Sequence, residues 1–264
     1  MPQNISGIPS IKRILQKWSI AFKVVPPVIL IVGLKFLTHF TGMEVMELNA
    51  LFTSLVAGTI FLLGFLISGV LSDYKESEKL PNEISISLKT LYDDTYTLSK
   101  IKNSTAANEF LDAQKVLGSI ILDWFYKKVR TRTLLEEFSK MNQFVIDLDK
   151  EGVQVNYIIK LKNEQANLRK IILRIDTIRD TEFVSSAYAI VEAMGLVIAA
   201  GLIIIHIEPF LASLFFTILV TFLILYMIFL IKDLDNPFDY SHKGEKGTEI
   251  SLKPIRDHIA TLAD

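Results

Sequence analysis

Residues 211–231 read LASLFFTILVTFLILYMIFLI, an apolar run without one charged side chain. A helix rises about 1.5 Å per residue, so such a run can cross the ~30 Å hydrocarbon core of a bilayer. It is apolar on every face, as expected of a helix that meets lipid rather than water. That reading places the chain among membrane proteins. Three further runs carry the same signal, at about 26–43, 49–71 and 184–205, and the last span is taken as 210–231. Pro26 and Pro27 open the first run, a position where proline suits the first helical turn. Ahead of it, residues 8–25 mix Ile, Leu, Trp and Phe with Lys and Arg, which reads as an amphipathic helix on the membrane surface. No small-residue cleavage site follows the first run, so this N-terminal segment is expected to be retained.

Composition agrees with a protein that lies part in lipid and part in water. The chain has 264 residues, half of them hydrophobic, with a mean hydropathy of +0.38. That is too apolar for an ordinary soluble domain, and 22% charged residues are too many for membrane helices alone. The net charge of -1 gives no electrostatic footprint for nucleic acid. The absence of cysteine excludes disulfides, thiol nucleophiles and Cys-based metal sites.

Basic residues set the expected orientation. Lys12, Arg13, Lys17 and Lys23 precede the first span, and Lys232, Lys243 and Lys246 follow the last. The loop between the first two spans carries Glu44 and Glu47 and no Lys or Arg, and the loop between the last two is only His206-Ile207-Glu208-Pro209. Positive-inside logic puts both termini and the middle of the chain in the cytoplasm. That middle, residues 72–183, reads as helical throughout. Leu117, Ile120, Ile121, Trp124 and Phe125 share a helical face, Thr133 with Glu136 has the form of a capping box, Glu151-Gly152 interrupts, and a long helix is expected over 153–179. The tail after Asp235 is polar and expected to be extended. The organisation is thus 1–25 surface segment, 26–71 two spans, 72–183 cytoplasmic helices, 184–231 two spans and 232–264 cytoplasmic tail.

The second span differs from the fourth. Ala50, Ser54, Ala57, Phe61, Phe65, Ser68 and Ser72 recur at spacings of three and four and so share one face, with Gly58, Gly64 and Gly69 beside it. Small and hydroxyl residues interrupted by two phenylalanines one turn apart could line a narrow aqueous path if several copies of the helix formed a ring. The phenylalanines would then act as hydrophobic constrictions. Small residues are also how membrane helices pack closely, so the stripe alone leaves a packing face open as the alternative. Two charges fall inside spans, Lys35 and Glu192, and intramembrane charges are costly unless paired or facing water. Their similar depth in the spans suggests that they pair with each other. Snorkelling of Lys35 and a later start of the third span, which would place Glu192 outside it, remain the alternatives. The four histidines, His39, His206, His242 and His258, show no metal-ligand spacing, and no phosphate loop or nucleophile motif is present. A non-enzyme is expected.

Two short stretches carry a family resemblance. Phe61-Leu62-Leu63-Gly64-Phe65, continuing through Ser68 and Ser72 to Glu78-Lys79-Leu80-Pro81, resembles the neck helix of bestrophins, with its F-V-L-G-F and E-N-L-P elements. Asp235-Asn236-Pro237-Phe238-Asp239 resembles the N-P-F-G-acidic stretch after the last bestrophin membrane helix. The order of parts is similar too, and the wider bestrophin-like membrane family of unknown function looks closer still. The local matches cover about 30 residues. The resemblance implies an all-α membrane protein, a homopentamer with the second span around a central ion path, and conduction of monovalent anions such as chloride. Its partners would be itself, the lipid bilayer and the permeant ions.

The departures bear on the details. Asp73-Tyr74-Lys75 stands where the family has Arg-Trp-Trp, and one residue must be gapped to align Leu80-Pro81. The family's calcium clasp uses a run of acidic residues, whereas here only Asp239 follows N-P-F, with Asp233 and Asp235 before it. Calcium takes six to eight oxygens, so Asp235, Asn236 and Asp239 are candidate contributors to a calcium site that the protein need not require. Phenylalanine ring edges favour a passing anion. Glu44 and Glu47 would form acidic rings that favour cations. The expectation is therefore an ion channel with a slight preference for anions, its neck at Phe61 and Phe65 with Ala57, Ser54, Ser68 and Ser72 along the path. The alternative is a non-conducting membrane scaffold or signalling protein.

Overall fold

The computed structural model describes residues 18–181, 185–240 and 249–263. They form nine helices and one pair of two-residue strands: α1 (Ser19–Thr41), β1 (Met46–Glu47), α2 (Ala50–Ser77), α3 (Leu80–Lys102), α4 (Thr105–Phe125), α5 (Thr131–Lys150), α6 (Val155–Asp180), α7 (Ser185–Ile204), β2 (Ile205–His206), α8 (Phe210–Asp235) and α9 (Lys253–Ala263). The chain is an all-α membrane protein in class, and it has four helical stretches long and apolar enough to cross a membrane. It divides into two compact units, one of residues 1–74 with 182–235 and the other of 75–181 with 236–264. The part of the expected surface helix at 8–17 lies outside the described residues.

In the first unit, α1 approaches both α7 and α8 closely, and α7 approaches α8. Ile20, Val24 and Val28 of α1 bury against Phe222, Leu225, Tyr226 and Phe229 of α8. A second core joins α2 to α7 and α8 through Phe52, Leu63, Leu66 and Val70 with Val191, Ile198, Leu202, Ile224, Ile228 and Ile231. Lipid tails are as apolar as leucine, so this association rests on close packing rather than on escape from water. Gly201 shows how tight it is: the ring of Phe52 occupies the space where a Cβ at Gly201 would stand. α1 begins at Ser19 and carries Pro26 and Pro27 inside it rather than starting there. Residues 19–25 therefore belong to the same continuous helix as the first span. α1 ends at Gly42, which takes φ +68° and donates its N–H to the His39 carbonyl, while Met43 N–H bonds to Thr38 O at 2.9 Å. Such a left-handed cap suits glycine, which has no Cβ to clash. The turn sends the chain back beside α1, and parallel pairing of Met46 with Ile205 and Glu47 with His206 then ties the α1–α2 loop to the end of α7.

The second unit has a core of the kind that forms in water. It is filled from α3 by Ile84, Leu88, Leu91 and Leu98, from α4 by Phe110, Ile121, Trp124 and Phe125, from α5 by Leu134 and Phe138, and from α6 by Leu161, Leu168, Ile172 and Ile175, all buried. Burying each such side chain is worth roughly 1.5–3 kcal/mol. Ser104 caps α4 by accepting from Ala107 N–H at 2.9 Å, and the Glu151 carboxylate takes Ala106 N–H at 3.1 Å. Pro81 lies in the first turn of α3. Gly152, at φ +74°, makes the break expected between α5 and α6.

Thr133 and Glu136 form no capping box, because α5 starts at Thr131 with Thr133 already inside its first turn, and Glu136 instead accepts from Arg132 Nε at 3.1 Å. Among its described residues, 236–240 and 249–263, the tail is not simply extended but packed. Phe238, Tyr240, Ile250, Leu252 and Ile255 are buried, and α9 lies on α3 and α4. Ser85 donates to Pro254 O at 2.9 Å, and Ile259 fits against Gly118, where a Cβ would come within 2.9 Å of its Cγ1. The polar residues that suggest an extended tail alternate with enough apolar ones to dock it.

Candidate functional site: one face of the second long helix

α2 has two unlike faces. Phe52, Thr59, Leu63, Leu66 and Val70 are buried in the first unit. Ala50, Ser54, Ala57, Phe61, Phe65, Ser68 and Ser72 are all exposed, as the stripe read from the sequence requires of a single face. Phe61 and Phe65 are 74% and 72% exposed, so neither ring is used to hold the chain's own fold together. Gly58 and Gly64 open onto space in which a Cβ would meet nothing within 4 Å. Thr59 satisfies its hydroxyl within the helix, donating to Leu55 O at 2.8 Å.

The two intramembrane charges do not meet. Lys35 is fully buried and pairs with Glu44 at 2.7 Å, and it also donates to the Ile205 carbonyl. Glu192 pairs with Lys232, both of them about half-exposed. The expected Lys35–Glu192 pair is therefore wrong. Lys35 lies near the C-terminal end of α1, within reach of the loop that Gly42 turns back, whereas Glu192 lies level with the last turns of α8. A further pair, Lys23 with Asp233 at 3.6 Å, joins the start of α1 to the end of α8.

Sequence reading misses the cluster that Lys35 anchors. Glu44, only 6% exposed at its side chain, offers Oε1 to Lys35 and Oε2 to His39 Nδ1 at 3.1 Å and His206 Nδ1 at 2.9 Å. Burial pushes the Glu44 carboxyl up, but the hydrogen bonds from Lys35, His206 and His39 outweigh it and hold it down at about 2. His206 is raised above its ordinary value, chiefly by its bond to Glu44. His39 stacks on Phe210 with ring centroids 3.9 Å apart, and Thr38 donates to Ile203 O at 2.7 Å. The helix stop at Thr41-Gly42 is the available signal, since it folds Glu44 back onto α1.

Around the candidate calcium residues, Asp239 is paired with Lys127, and Asp239 N–H donates to Asn236 O at 3.3 Å. Asp235 ends α8 in the first unit, while Asn236 and Asp239 belong to the second. Among the described residues no group of three His, Cys, Asp or Glu side chains is arranged to hold a metal ion.

The sequence matches no protein-family profile and no curated protein. Its fold does match solved structures. Two crystal structures of variants of a bacterial bestrophin homolog from Klebsiella pneumoniae align with TM-scores of 0.73 and 0.71 at 14% identity, covering 92% and 93% of this chain and 98% of each of theirs. A third variant of that homolog aligns at 0.71 and 15% identity over 93% of this chain and 97% of its own. The chain has a bestrophin-like fold.

Proposed function

We propose that the protein is a homo-oligomeric ion channel, a pentamer, in which α2 of each subunit lines a central path and Phe61 and Phe65 form its neck. The observation that carries this reading is the division of α2 into a buried apolar face and an exposed face of small, hydroxyl and phenylalanine residues. Rings close by cyclic symmetry, and rings of phenylalanine constrict by excluding water. The bestrophin-like fold supports the same reading by analogy of architecture.

One of the two acidic features that would oppose anions is removed. Glu44 is matched by Lys35, so the acidic ring expected from it is neutralised within each subunit. Glu47 remains exposed. Phenylalanine edges at the neck present partial positive charge to a passing anion. Ions would shed part of their hydration there and be held only weakly.

The test is current through planar bilayers containing the purified protein under a salt gradient, with Phe61→Ala plus Phe65→Ala as the comparison. Wild type should conduct, the double variant should conduct more or with altered selectivity, and the reversal potential should lie towards the anion. Silence from both proteins, with oligomers present, would leave α2's exposed face as a packing surface of a non-conducting scaffold.

A further inference from the structure

His206 has a carboxylate at each ring nitrogen. Nδ1 lies 2.9 Å from Glu44 Oε2, and Nε2 lies 3.4 Å from Glu208 Oε1. Carboxylates accept hydrogen bonds and do not donate them, so both contacts are made only when the imidazole carries both protons. Loss of one proton must release one carboxylate: the exposed Glu208 at 3.4 Å is let go, while the buried Glu44 keeps Nδ1–H but through a neutral and so weaker hydrogen bond. The ring is 44% exposed, and an open groove of about 540 Å³ lined by His39, His206, Glu208 and Phe210 gives water access to it.

The elements that His206 joins make this more than a surface pair. Glu44 belongs to the α1–α2 loop, which leads within a few residues into the first turn of α2. Glu208 lies two residues after His206 in its own loop, so the contact that crosses between the two loops is the one to Glu44. The charged and titratable groups around the ring are Lys35 and His39 from α1, Glu44 from the loop, Glu47 as its register partner on β1, and Glu208 beyond β2. Lys35 is already matched to Glu44, so the second proton on His206 is balanced by Glu208.

We infer that His206 is a proton-operated latch that, when doubly protonated, fastens the α1–α2 loop to the α7–α8 loop, and that its deprotonation loosens the attachment of α2's first turn. The latch stands on the geometry of the cluster, while its consequence for current rests on the proposed channel.

The chain has no cysteine, so Val45→Cys, at a position 80% exposed in the same loop, gives one site for a spin label in the full-length protein in nanodiscs. Label mobility should rise as pH is raised through the His206 midpoint. With His206→Asn the label should be mobile throughout, and with Glu208→Gln, a change at an exposed side chain, the step should move to lower pH. Mobility that is independent of pH, or a step unchanged in both variants, would overturn the latch. In bilayers, pH changed on the loop side alone should alter wild-type current several-fold and leave His206→Asn flat. A mobility step without any current would support the latch and count against the channel reading instead.

Discussion

Replacing Lys35 by methionine keeps the length of the side chain and removes its charge, leaving Glu44 buried without its cation. Removing one partner of a buried pair costs about 3–5 kcal/mol, because the remaining charge is uncompensated. At about 2–4 °C per kcal/mol for a chain of this size, the melting midpoint should fall by roughly 6–20 °C. Glu44→Gln added to Lys35→Met removes the stranded charge and should recover much of the loss. Glu192→Gln acts on a half-exposed pair and should cost no more than about 1 kcal/mol. Thermal unfolding of the purified protein in detergent, followed by circular dichroism, measures all three. A double variant as unstable as Lys35→Met, or a Glu192→Gln as damaging, would refute the pairing. The pH dependence has a defined sign. Glu44 is lowered from 4.5 to about 2 when folded, so its contribution is present above 4.5 and is lost as pH falls towards 2. His206 is raised from 6.5, so its contribution is complete below 6.5 and is lost as pH rises through the folded value.

Other substitutions probe the remaining contacts. Gly201→Leu drives a side chain into the ring of Phe52 and should displace α2 from α7, read as a lower melting midpoint and altered oligomer yield, while Gly201→Ala should be milder but still destabilising. Removal of calcium by a chelator should leave current unchanged, because Asp239 is already paired with Lys127; a loss of current restored by calcium alone would overturn that expectation.

The spans and the stripe are legible in the sequence because each depends on a local pattern. A long apolar run has few alternatives to a membrane helix, and a stripe at spacings of three and four follows from helix geometry whatever its neighbours are. Partnership is less legible. Counting Lys35 from Pro26 puts it at the depth of Glu192, but α1 starts at Ser19 and turns back at Gly42, which brings Glu44 to it instead. The tail shows the same limit: Leu252, Ile255 and Ile259 carry a helical spacing, yet only the surface of α3 and α4, with the gap at Gly118, decides that the segment docks.

Gly58 and Gly64 face space in the single subunit, where alanine would favour the helix by about 0.5–1 kcal/mol over glycine. A sequence selected only for the stability of one chain would gain from that exchange. In the proposed oligomer, another backbone would come near these glycines, and the same substitutions that strengthen the single chain would then weaken its assembly. On that reading the helix is tuned for company rather than for its own stability.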